Sequence, residues 1–308
     1  MRKHHPKIWL IAIFLIVCLS GCAWRNTALN TEGQHSTQFF KEGRGLIVFA
    51  GQESEEDDYD LYVYDFVSRE TSRLVQHPAA DISPCLTADR SRIYFASDRE
   101  GTYGIYQLEM PGDVVSTLLN SSADETEPRI SPSGEFLAYQ SNAFGDYDIY
   151  VFDIERQAEN RLTVSDAQDT QASIAPDGQS IAFVSNRDGD FEIFTMDVDG
   201  SHKQQRTDND RYDASPVWAP DGKSIIYLSK QTQHFQLVQF YLDSGEEKKR
   251  TDPALTVHSP SFSPDGQFLA YIQETSHASQ ISVLDLDSGQ HFLLLDGFSK
   301  YAGLSWVE

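Results

Sequence analysis

The amino-acid sequence predicts an all-β fold, a six-bladed β-propeller built from four-stranded blades. The first observation is a repeat with a constant spacing: the residue that closes an alternating apolar run recurs at every 44th position, as Asp65, Glu109, Asp153, Asp197, Tyr241 and Asp285. The second observation is that each copy holds four short apolar segments, whose lengths suit strands rather than helices. Turn signals such as Pro176-Asp177-Gly178 separate these segments. A period of this length is typical of propeller blades.

Residues 1–21 are predicted to be a signal peptide. Arg2, Lys3 and Lys7 form a positively charged start, and an apolar stretch follows from Ile8 to Leu19. That stretch is short for a membrane span and is typical of a secretory signal.

The signal peptide ends in Leu19-Ser20-Gly21-Cys22, which resembles the lipobox of bacterial lipoproteins. The resemblance implies cleavage before Cys22 and acylation of that cysteine, with palmitate among the acyl chains, so that a membrane becomes a partner through the lipid. Ala23 stands next where inner-membrane lipoproteins carry Asp, which by the same resemblance favours the outer membrane, facing the periplasm. The alternatives are an uncleaved anchor or an ordinary signal peptide with a chance cysteine. Residues 22–44 are polar and predict a lipidated, flexible tether.

Residues 45–308 are predicted to form the propeller. The sixth copy shows its four strands most clearly, at Pro260 to Ser263, Phe268 to Ile272, Gln280 to Asp285 and His291 to Leu295. The first copy begins at its second strand, Leu46 to Ala50, and lacks an opening strand. The C-terminal Gly303-Leu304-Ser305-Trp306 stands one period beyond the opening of the sixth copy. The C-terminal strand is therefore predicted to complete the first blade and close the ring, which removes an open sheet edge.

Two stretches are similar to the repeat of the TolB-type propeller family, also called the WD40-like or PD40 repeat. One is Ser263-Pro264-Asp265-Gly266 with the Phe268-Leu269-Ala270-Tyr271 that follows; the other is Asn186-Arg187-Asp188-Gly189 leading to Ile193-Phe194-Thr195-Met196-Asp197. The resemblance covers about residues 45 to 307. It implies protein docking, since in that family the propeller docks the peptidoglycan-associated lipoprotein of the Tol-Pal system. The resemblance is to the propeller half alone, without the family's N-terminal α/β domain. Similar repeats also gate prolyl-oligopeptidase-type hydrolases.

The composition and the motifs argue against two classes of function. The formal net charge is −23, so nucleic acid is not expected as a partner, because phosphate contact needs a basic face. The sequence has no Gly-x-Ser-x-Gly elbow, His-Glu-x-x-His motif or phosphate-binding glycine loop. We therefore expect no enzyme and no cofactor. His258, at a blade entrance, keeps an enzyme alternative open, because some oligosaccharide lyases are propellers with a histidine-bound metal.

One repeat position suggests a binding site. The residue three places before the repeat's proline is Asp81, Glu125, Asp169 and Asp213 in four copies, then Val257 and Tyr301. In a propeller this segment leads into the innermost strand of the next blade, so all six positions are expected around one mouth of the central channel. Such a ring suits a basic protein partner or a cation such as calcium. The alternative, which we favour over a discrete metal site, is that each carboxylate caps a local turn.

Tyr212, His258 and Tyr301 are expected to add contact area at the same mouth. The sequence thus predicts a lipid-anchored outer-membrane protein that faces the periplasm and binds an envelope protein there. The alternative is a propeller enzyme or binding protein that acts on an oligosaccharide or another small ligand in the channel. Function is expected where the copies differ, as in the acidic insertion Glu53 to Asp58 and in Lys230 to Gln236.

Overall fold

The structure is a computed structural model that describes residues 45–110, 114–252, 255–275 and 279–307. The predicted signal peptide, the lipidation site Cys22 and the tether lie outside these residues. Within them the chain forms β-strands and no helix. In the described ranges, therefore, no helix is long and apolar enough to cross a membrane.

The strands form six four-stranded antiparallel sheets, which are the blades. Blade 1 contains β1 (Leu46–Gln52), β2 (Asp60–Asp65), β3 (Glu70–Val75) and β24 (Lys300–Val307). Blade 2 contains β4 (Asp81–Leu86), β5 (Arg92–Ser97), β6 (Gly104–Glu109) and β7 (Val115–Leu119). Blade 3 contains β8 (Glu125–Ile130), β9 (Phe136–Phe144), β10 (Asp146–Asp153) and β11 (Ala158–Arg161).

The second half of the chain repeats the same order. Blade 4 contains β12 (Asp169–Ile174), β13 (Ser180–Ser185), β14 (Glu192–Asp197) and β15 (Gln204–Gln205). Blade 5 contains β16 (Asp213–Trp218), β17 (Ser224–Gln231), β18 (His234–Tyr241) and β19 (Glu247–Lys249). Blade 6 contains β20 (Thr256–Phe262), β21 (Phe268–Glu274), β22 (Ser279–Asp285) and β23 (His291–Leu295). The predicted six-bladed propeller is confirmed.

The ring closes through the C-terminal strand. β24 pairs with β1 antiparallel, with Leu46 opposite Val307 and Phe49 opposite Leu304. It therefore occupies in blade 1 the innermost place that β4, β8, β12, β16 and β20 occupy in the other blades. The predicted closure is confirmed.

The core lies between neighbouring blades, and each blade is buried on both of its faces. In β13, Ile181, Ala182, Phe183 and Val184 are all fully buried. Alternate side chains of the strand point to opposite faces of the sheet. Burial of both faces explains why this segment reads as a continuous apolar run rather than as an alternation.

The innermost strand of blade 6 begins earlier than the sequence predicts. The predicted start is Pro260, whereas β20 begins at Thr256. Thr256, Val257 and His258 pair with the end of β21, and a bulge interrupts the register between His258 and Ser261. The residues before the repeat's proline are thus strand residues and not a connection.

The closing strand generates a test of the ring. Trp306 of β24 is buried and stacks on Phe66 with ring centroids 5.1 Å apart. We expect Trp306→Ala to lower the free energy of unfolding by about 3–5 kcal/mol, because it removes a large buried ring and leaves a cavity. Urea denaturation measures this loss. Val67→Ala is the control: that side chain is 87% exposed, so its expected effect is within about 0.5 kcal/mol. Equal losses would contradict the role of β24 in closure.

Candidate functional site

Each innermost strand contains one residue with a left-handed backbone. These six residues stand one period apart and are called here the channel ring: Ser83, Glu127, Gln171, Ser215, Ser259 and Gly303. Their φ angles lie between 49° and 61°. Each lies where the register with the neighbouring strand shifts, which marks a β-bulge. A left-handed backbone costs energy at any residue other than glycine, so contacts must hold the other five in place.

Hydrogen bonds between neighbouring blades supply some of these contacts. The side-chain oxygen of Gln171 accepts from the backbone N–H of Ser215 at 2.8 Å, one period later. Ser259 Oγ accepts in the same way from the N–H of Gly303 at 3.3 Å. Ser83 Oγ donates to Glu127 Oε1 at 2.9 Å. The channel ring therefore joins blade 2 to blade 3, blade 4 to blade 5 and blade 6 to blade 1.

A second set of bonds lies two residues further along the same strands. Ser173, Ser261 and Ser305 each accept, through Oγ, the backbone N–H of a residue in the next blade at 3.1–3.3 Å. Cys85 takes this role with Sγ, which lies 3.1 Å from the N–H of Ile130. Burial raises the pKa of the Cys85 thiol to about 11. This cysteine is therefore a packed, unreactive residue of the blade boundary.

The innermost strands enclose a central cavity of about 420 Å³. Its lining includes residues of all six innermost strands, with Glu127 and Arg129 paired at 2.9 Å. Tyr59, Tyr103 and His258 also line it. Tyr59 and Tyr103 end the loops between the second and third strands of blades 1 and 2, so the cavity opens on the side where these loops lie. We call this side the mouth face; it also carries the connections that lead into each innermost strand.

The predicted ring of acids lies at the start of the innermost strands, but its side chains point into the blades. Asp81, Asp169 and Asp213 are 0% exposed, and Glu125 is also buried. Asp81 pairs with Arg99 at 2.7 Å, and Asp169 pairs with Arg187 at 2.9 Å. The expectation that these carboxylates face a partner in the channel thus differs from the structure. The local role that the sequence favoured over a metal site is closer: Glu125, Asp169 and Asp213 each accept a side-chain hydrogen bond from the residue four places earlier. In addition, Asp81 and Asp169 each pair with an arginine.

The arginines fit these sites because their flat guanidinium groups also pack on rings. Arg99 lies 4.7 Å from the centroid of Tyr106, and Arg187 lies 5.0 Å from that of Phe194. Such cation–π contacts add to the ion pair in a desolvated place. Burial raises the pKa of Asp81, against hydrogen bonds from Ser97 and Arg99 that lower it.

Other members of the predicted mouth lie apart from one another. Glu125 accepts a hydrogen bond from the backbone N–H of Ser121 at 3.1 Å. Tyr301 is buried against Phe49 and Phe298, with ring centroids 5.5 and 5.1 Å away. Burial raises the pKa of its phenol. Tyr301 therefore belongs to the core of blade 1 and offers no contact area to a partner.

His258 does lie at the channel. Its Nε2 is 3.1 Å from Glu274 Oε1, and its Nδ1 is 3.2 Å from Ser259 Oγ. Among the residues that the structure describes, no three His, Cys, Asp or Glu side chains come together as a metal site.

Tyr212 is on the surface of the mouth face and belongs to a larger apolar group. Its ring contacts Phe191 at 4.8 Å and Phe235 at 5.8 Å. Phe144 and Val164, on the same face over blade 3 and its connection to blade 4, are 72% and 74% exposed, and Tyr212 is 39% exposed. We call Phe144, Val164, Phe191, Tyr212 and Phe235 the apolar arc. Sequence reasoning found only Tyr212 of this group; the signal for two others was the aromatic position one period apart, Phe191 and Phe235.

The acidic insertion of blade 1 borders a separate cavity of about 360 Å³. Arg73 lies across it, bonded to Glu53 and 3.6 Å from Asp60. Burial raises the pKa of Asp60, and the backbone N–H of His77 and the charge of Arg73 oppose that rise. The insertion is thus partly neutralised by a residue of its own blade.

The most uneven charge balance occurs between blades 4 and 5. Arg99 and Arg187 stand at the same repeat position, and in the next copy that position, which would pair with Asp213, is occupied by Gln231. Asp213 lies instead within hydrogen-bonding reach of Glu192, which is also buried. Burial, and then the charge of Asp213, raise the pKa of Glu192 to about 7. Sequence reasoning missed Glu192, because nothing local marks a contact across the blade boundary.

The buried ion pairs generate a stability test. Arg187→Met leaves the Asp169 carboxylate buried without its cation, and we expect the free energy of unfolding to fall by about 3–5 kcal/mol. Arg156→Met is the control, since Arg156 pairs with Asp153 at 2.6 Å on the surface; its expected loss is at most about 1 kcal/mol. Urea denaturation at pH 7 compares the two. Similar small losses in both variants would show that the Asp169 pair is not structural.

Comparison with known proteins agrees with this architecture. Two solved structures are TolB proteins. That of Acinetobacter baumannii has a TM-score of 0.76 and 20% identity, covering 86% of this chain and 67% of that chain. A putative TolB of Agrobacterium tumefaciens has a TM-score of 0.69 and 21% identity, covering 84% and 91%. An oligogalacturonate lyase in complex with manganese has a TM-score of 0.56 and 13% identity, covering 82% and 74%. At these identities the similarities show the fold alone.

Comparison with curated proteins yields no significant match. The model of the TolB β-propeller domain, PD40, matches residues 16–144 and 120–299. These two matches together extend over well more than half of the chain, and they confirm the resemblance carried by the repeat. The protein therefore belongs to the TolB β-propeller family.

Proposed function

We propose that this protein is a periplasmic lipoprotein, anchored in the outer membrane, whose propeller binds an envelope protein at the mouth face. The observation that carries the proposal is the apolar arc. Membership of the TolB β-propeller family supports a protein-interaction propeller in general.

The apolar arc has the properties of a docking surface. Of the five large apolar side chains that are exposed in the described part of the chain, Phe144, Val164 and Tyr212 lie on the mouth face over adjoining blades. Single exposed apolar residues need no explanation, whereas a group on one face marks an interaction site. Tyr212 also has the character of a binding hot spot, because a tyrosine presents a large rigid ring with a polar end.

The charges around the apolar arc indicate the kind of partner. Asp166, Asp188, Asp208 and Asp210 lie in the loops that carry it. They are offset only in part by Arg211, Lys230 and Arg161, the last of which lies 4.5 Å from the Phe144 ring centroid. A partner with an apolar centre and a basic rim would complement this surface. Charges of this kind mainly raise the association rate and exclude wrong partners.

The first test of the proposal is site-specific photo-crosslinking in living cells. A crosslinker at position 212 or 144 is expected to give one discrete adduct with an envelope protein, because both side chains are exposed members of the proposed surface. Once the partner is purified, Tyr212→Ala is expected to raise Kd by roughly 30-fold, or about 2 kcal/mol, as for other hot spots. Isothermal titration calorimetry measures that change.

Val67 provides the matched control, since it is at least as exposed but lies in the turn between β2 and β3, on the opposite side. A crosslinker at position 67 is expected to give no such adduct, and Val67→Ala to leave Kd unchanged. The docking surface would be excluded if positions 67 and 212 gave the same adducts.

The proposed anchor generates a separate test. Cys22→Ser removes the sulfur that the acyl chains would modify, and each buried methylene contributes about 0.8 kcal/mol to membrane binding. We expect the wild-type protein in the outer-membrane fraction and the variant in the soluble fraction or retained with an uncleaved signal peptide. Cys85→Ser is the control, because that thiol is buried in the propeller, and it is expected to leave the fractionation unchanged. Membrane association of Cys22→Ser equal to that of the wild type, with the signal peptide removed in both, would rule out the lipid anchor.

A second candidate function is binding or turnover of an oligosaccharide in the central cavity. The observation that favours it is the His258–Glu274 pair at the entrance of a cavity of about 420 Å³. Turnover of cell-wall or plant oligosaccharides by the wild-type protein, lost in His258→Ala, would support this candidate over docking alone.

A further inference from the structure

Two series of buried or half-buried acids recur around the propeller, and arginines lie beside several members of each. In the first series, at the start of the innermost strands, Asp81 pairs with Arg99 and Asp169 pairs with Arg187. In the second series, at the start of the third strands, Asp60 lies near Arg73 and Asp148 pairs with Arg161. An opposite charge this close offsets part of the hydration that a carboxylate loses on burial.

At the boundary between blades 4 and 5, an acid of each series lacks its arginine: Glu192 of blade 4 in the second series and Asp213 of blade 5 in the first. Glu192 stands one period after Asp148, but the residue one period after Arg161 is Gln205. Asp213 stands one period after Asp169, but the residue one period after Arg187 is Gln231. Glu192 and Asp213 are both buried, and they are neighbours across the blade boundary.

The hydrogen bonds of the pair show how closely its carboxylates lie. The side-chain amide of Asn209 donates to Asp213 Oδ2 at 2.8 Å and reaches Glu192 Oε2 at 3.4 Å. The backbone N–H of Asn209 donates to Glu192 Oε1 at 2.7 Å, and the Thr207 hydroxyl bonds to Oε2. Two buried carboxylates that share one amide donor repel each other strongly when both are ionised. A single proton held between them removes that repulsion.

The surrounding charges do not replace the missing arginine. Asp190, close to Glu192, adds a further negative charge. On β17, Ser229 bonds to Asp213, and the neighbouring Tyr227 donates its hydroxyl to Glu247 at 2.9 Å.

Three cations lie nearby, and none pairs with the two carboxylates. Arg187 of blade 4 is paired with Asp169, whereas Arg211 and Lys230 are exposed. The environment of the pair therefore favours a bound proton.

The pair also lies directly beneath the apolar arc. Phe191 precedes Glu192 in the chain, and Tyr212 precedes Asp213. Their rings are in contact at 4.8 Å, and the N–H of Asp213 donates to the carbonyl of Phe191 at 2.8 Å. A shift of either backbone segment that follows repulsion of the two carboxylates is therefore passed to this ring contact.

We propose that Glu192 and Asp213 hold one proton between them, and that its release to solvent as the pH rises separates Phe191 from Tyr212 and weakens docking at the apolar arc. The effect on docking rests on the proposed function. The shared proton and the movement of the rings do not depend on the proposed function, and both are measured on the protein without a partner.

Fluorine NMR on protein labelled with 4-fluorophenylalanine measures the ring movement. The Phe191 resonance is assigned by its loss in Phe191→Leu. In the wild type we expect this resonance to shift with one midpoint near pH 7, where burial and Asp213 place the titration of Glu192. In Glu192→Gln the shift is expected to vanish, because the variant cannot release the proton. Glu247→Gln is the matched control and is expected to keep the midpoint.

A resonance that does not titrate, or that titrates equally in Glu192→Gln, would overturn the proposal. So would a pH-independent shift of the wild-type resonance on addition of calcium alone, since the pair would then hold a cation rather than a proton.

Stability against pH provides the second measurement. The folded state keeps a proton that the unfolded chain releases above the ordinary glutamate pKa of about 4.3. The Glu192 carboxyl group therefore lowers the free energy of unfolding as the pH rises from about 4.3 to its pKa in the folded protein. Above that folded pKa, a further rise in pH causes no further loss. Relative to the wild type, Glu192→Gln should therefore gain at least about tenfold in its folding equilibrium constant between pH 5 and pH 8. Urea titrations measure the gain. Asp213→Asn serves as a second variant should Glu192→Gln not fold, and parallel pH profiles of wild type and variant would contradict the shared proton.

Discussion

The hydrogen bonds that join innermost strands across blade boundaries are the interaction on which the rest of this propeller depends. Each blade is a complete antiparallel sheet, so its own ladders do not fix its neighbour. The side chains of Gln171, Ser259 and Ser173 reach backbone N–H groups of the next blade. They constrain left-handed residues at the channel, and they align the innermost strands of neighbouring blades with one another. The mouth face is built on the starts of these strands, so its geometry follows from contacts around the channel.

The six copies share the residues that form strands and turns, and they differ in the residues that form the candidate sites. Asp169 with Arg187 shows the regular solution for a buried acid, an ion pair within one blade. Where both arginines are missing, Glu192 and Asp213 meet across a boundary instead. On the mouth face, the exposed apolar residues Phe144, Val164 and Tyr212 belong to blades 3 to 5, and Tyr212 stands over that same boundary. Two departures from the repeat thus coincide at the boundary between blades 4 and 5, which a structural role alone would not require.

The sequence predicted the fold well because its signals are local. Turns such as Pro176-Asp177-Gly178 and the regular spacing of the copies place strands without knowledge of distant contacts. The site was harder to predict. The position of Asp81 at the mouth follows from the repeat, but the direction of its side chain depends on Arg99, which lies on another loop. That signal was in the sequence, because Arg187 follows Asp169 at the same spacing as Arg99 follows Asp81. The contact between Glu192 and Asp213 has no such signal, since it depends on how two blades pack.

The pairing of β24 with β1 has a mechanical consequence. β1 is hydrogen-bonded along both of its edges, to β24 and to β2. Tension applied through the residues before 45 is therefore carried by two ladders in parallel, and both must rupture together before the first blade opens. A strand at the rim of a sheet would instead peel away one bond at a time. For a protein tethered as proposed, the attachment point coincides with a strand that resists shear, so a pull from the membrane is distributed over the ring before any blade unravels.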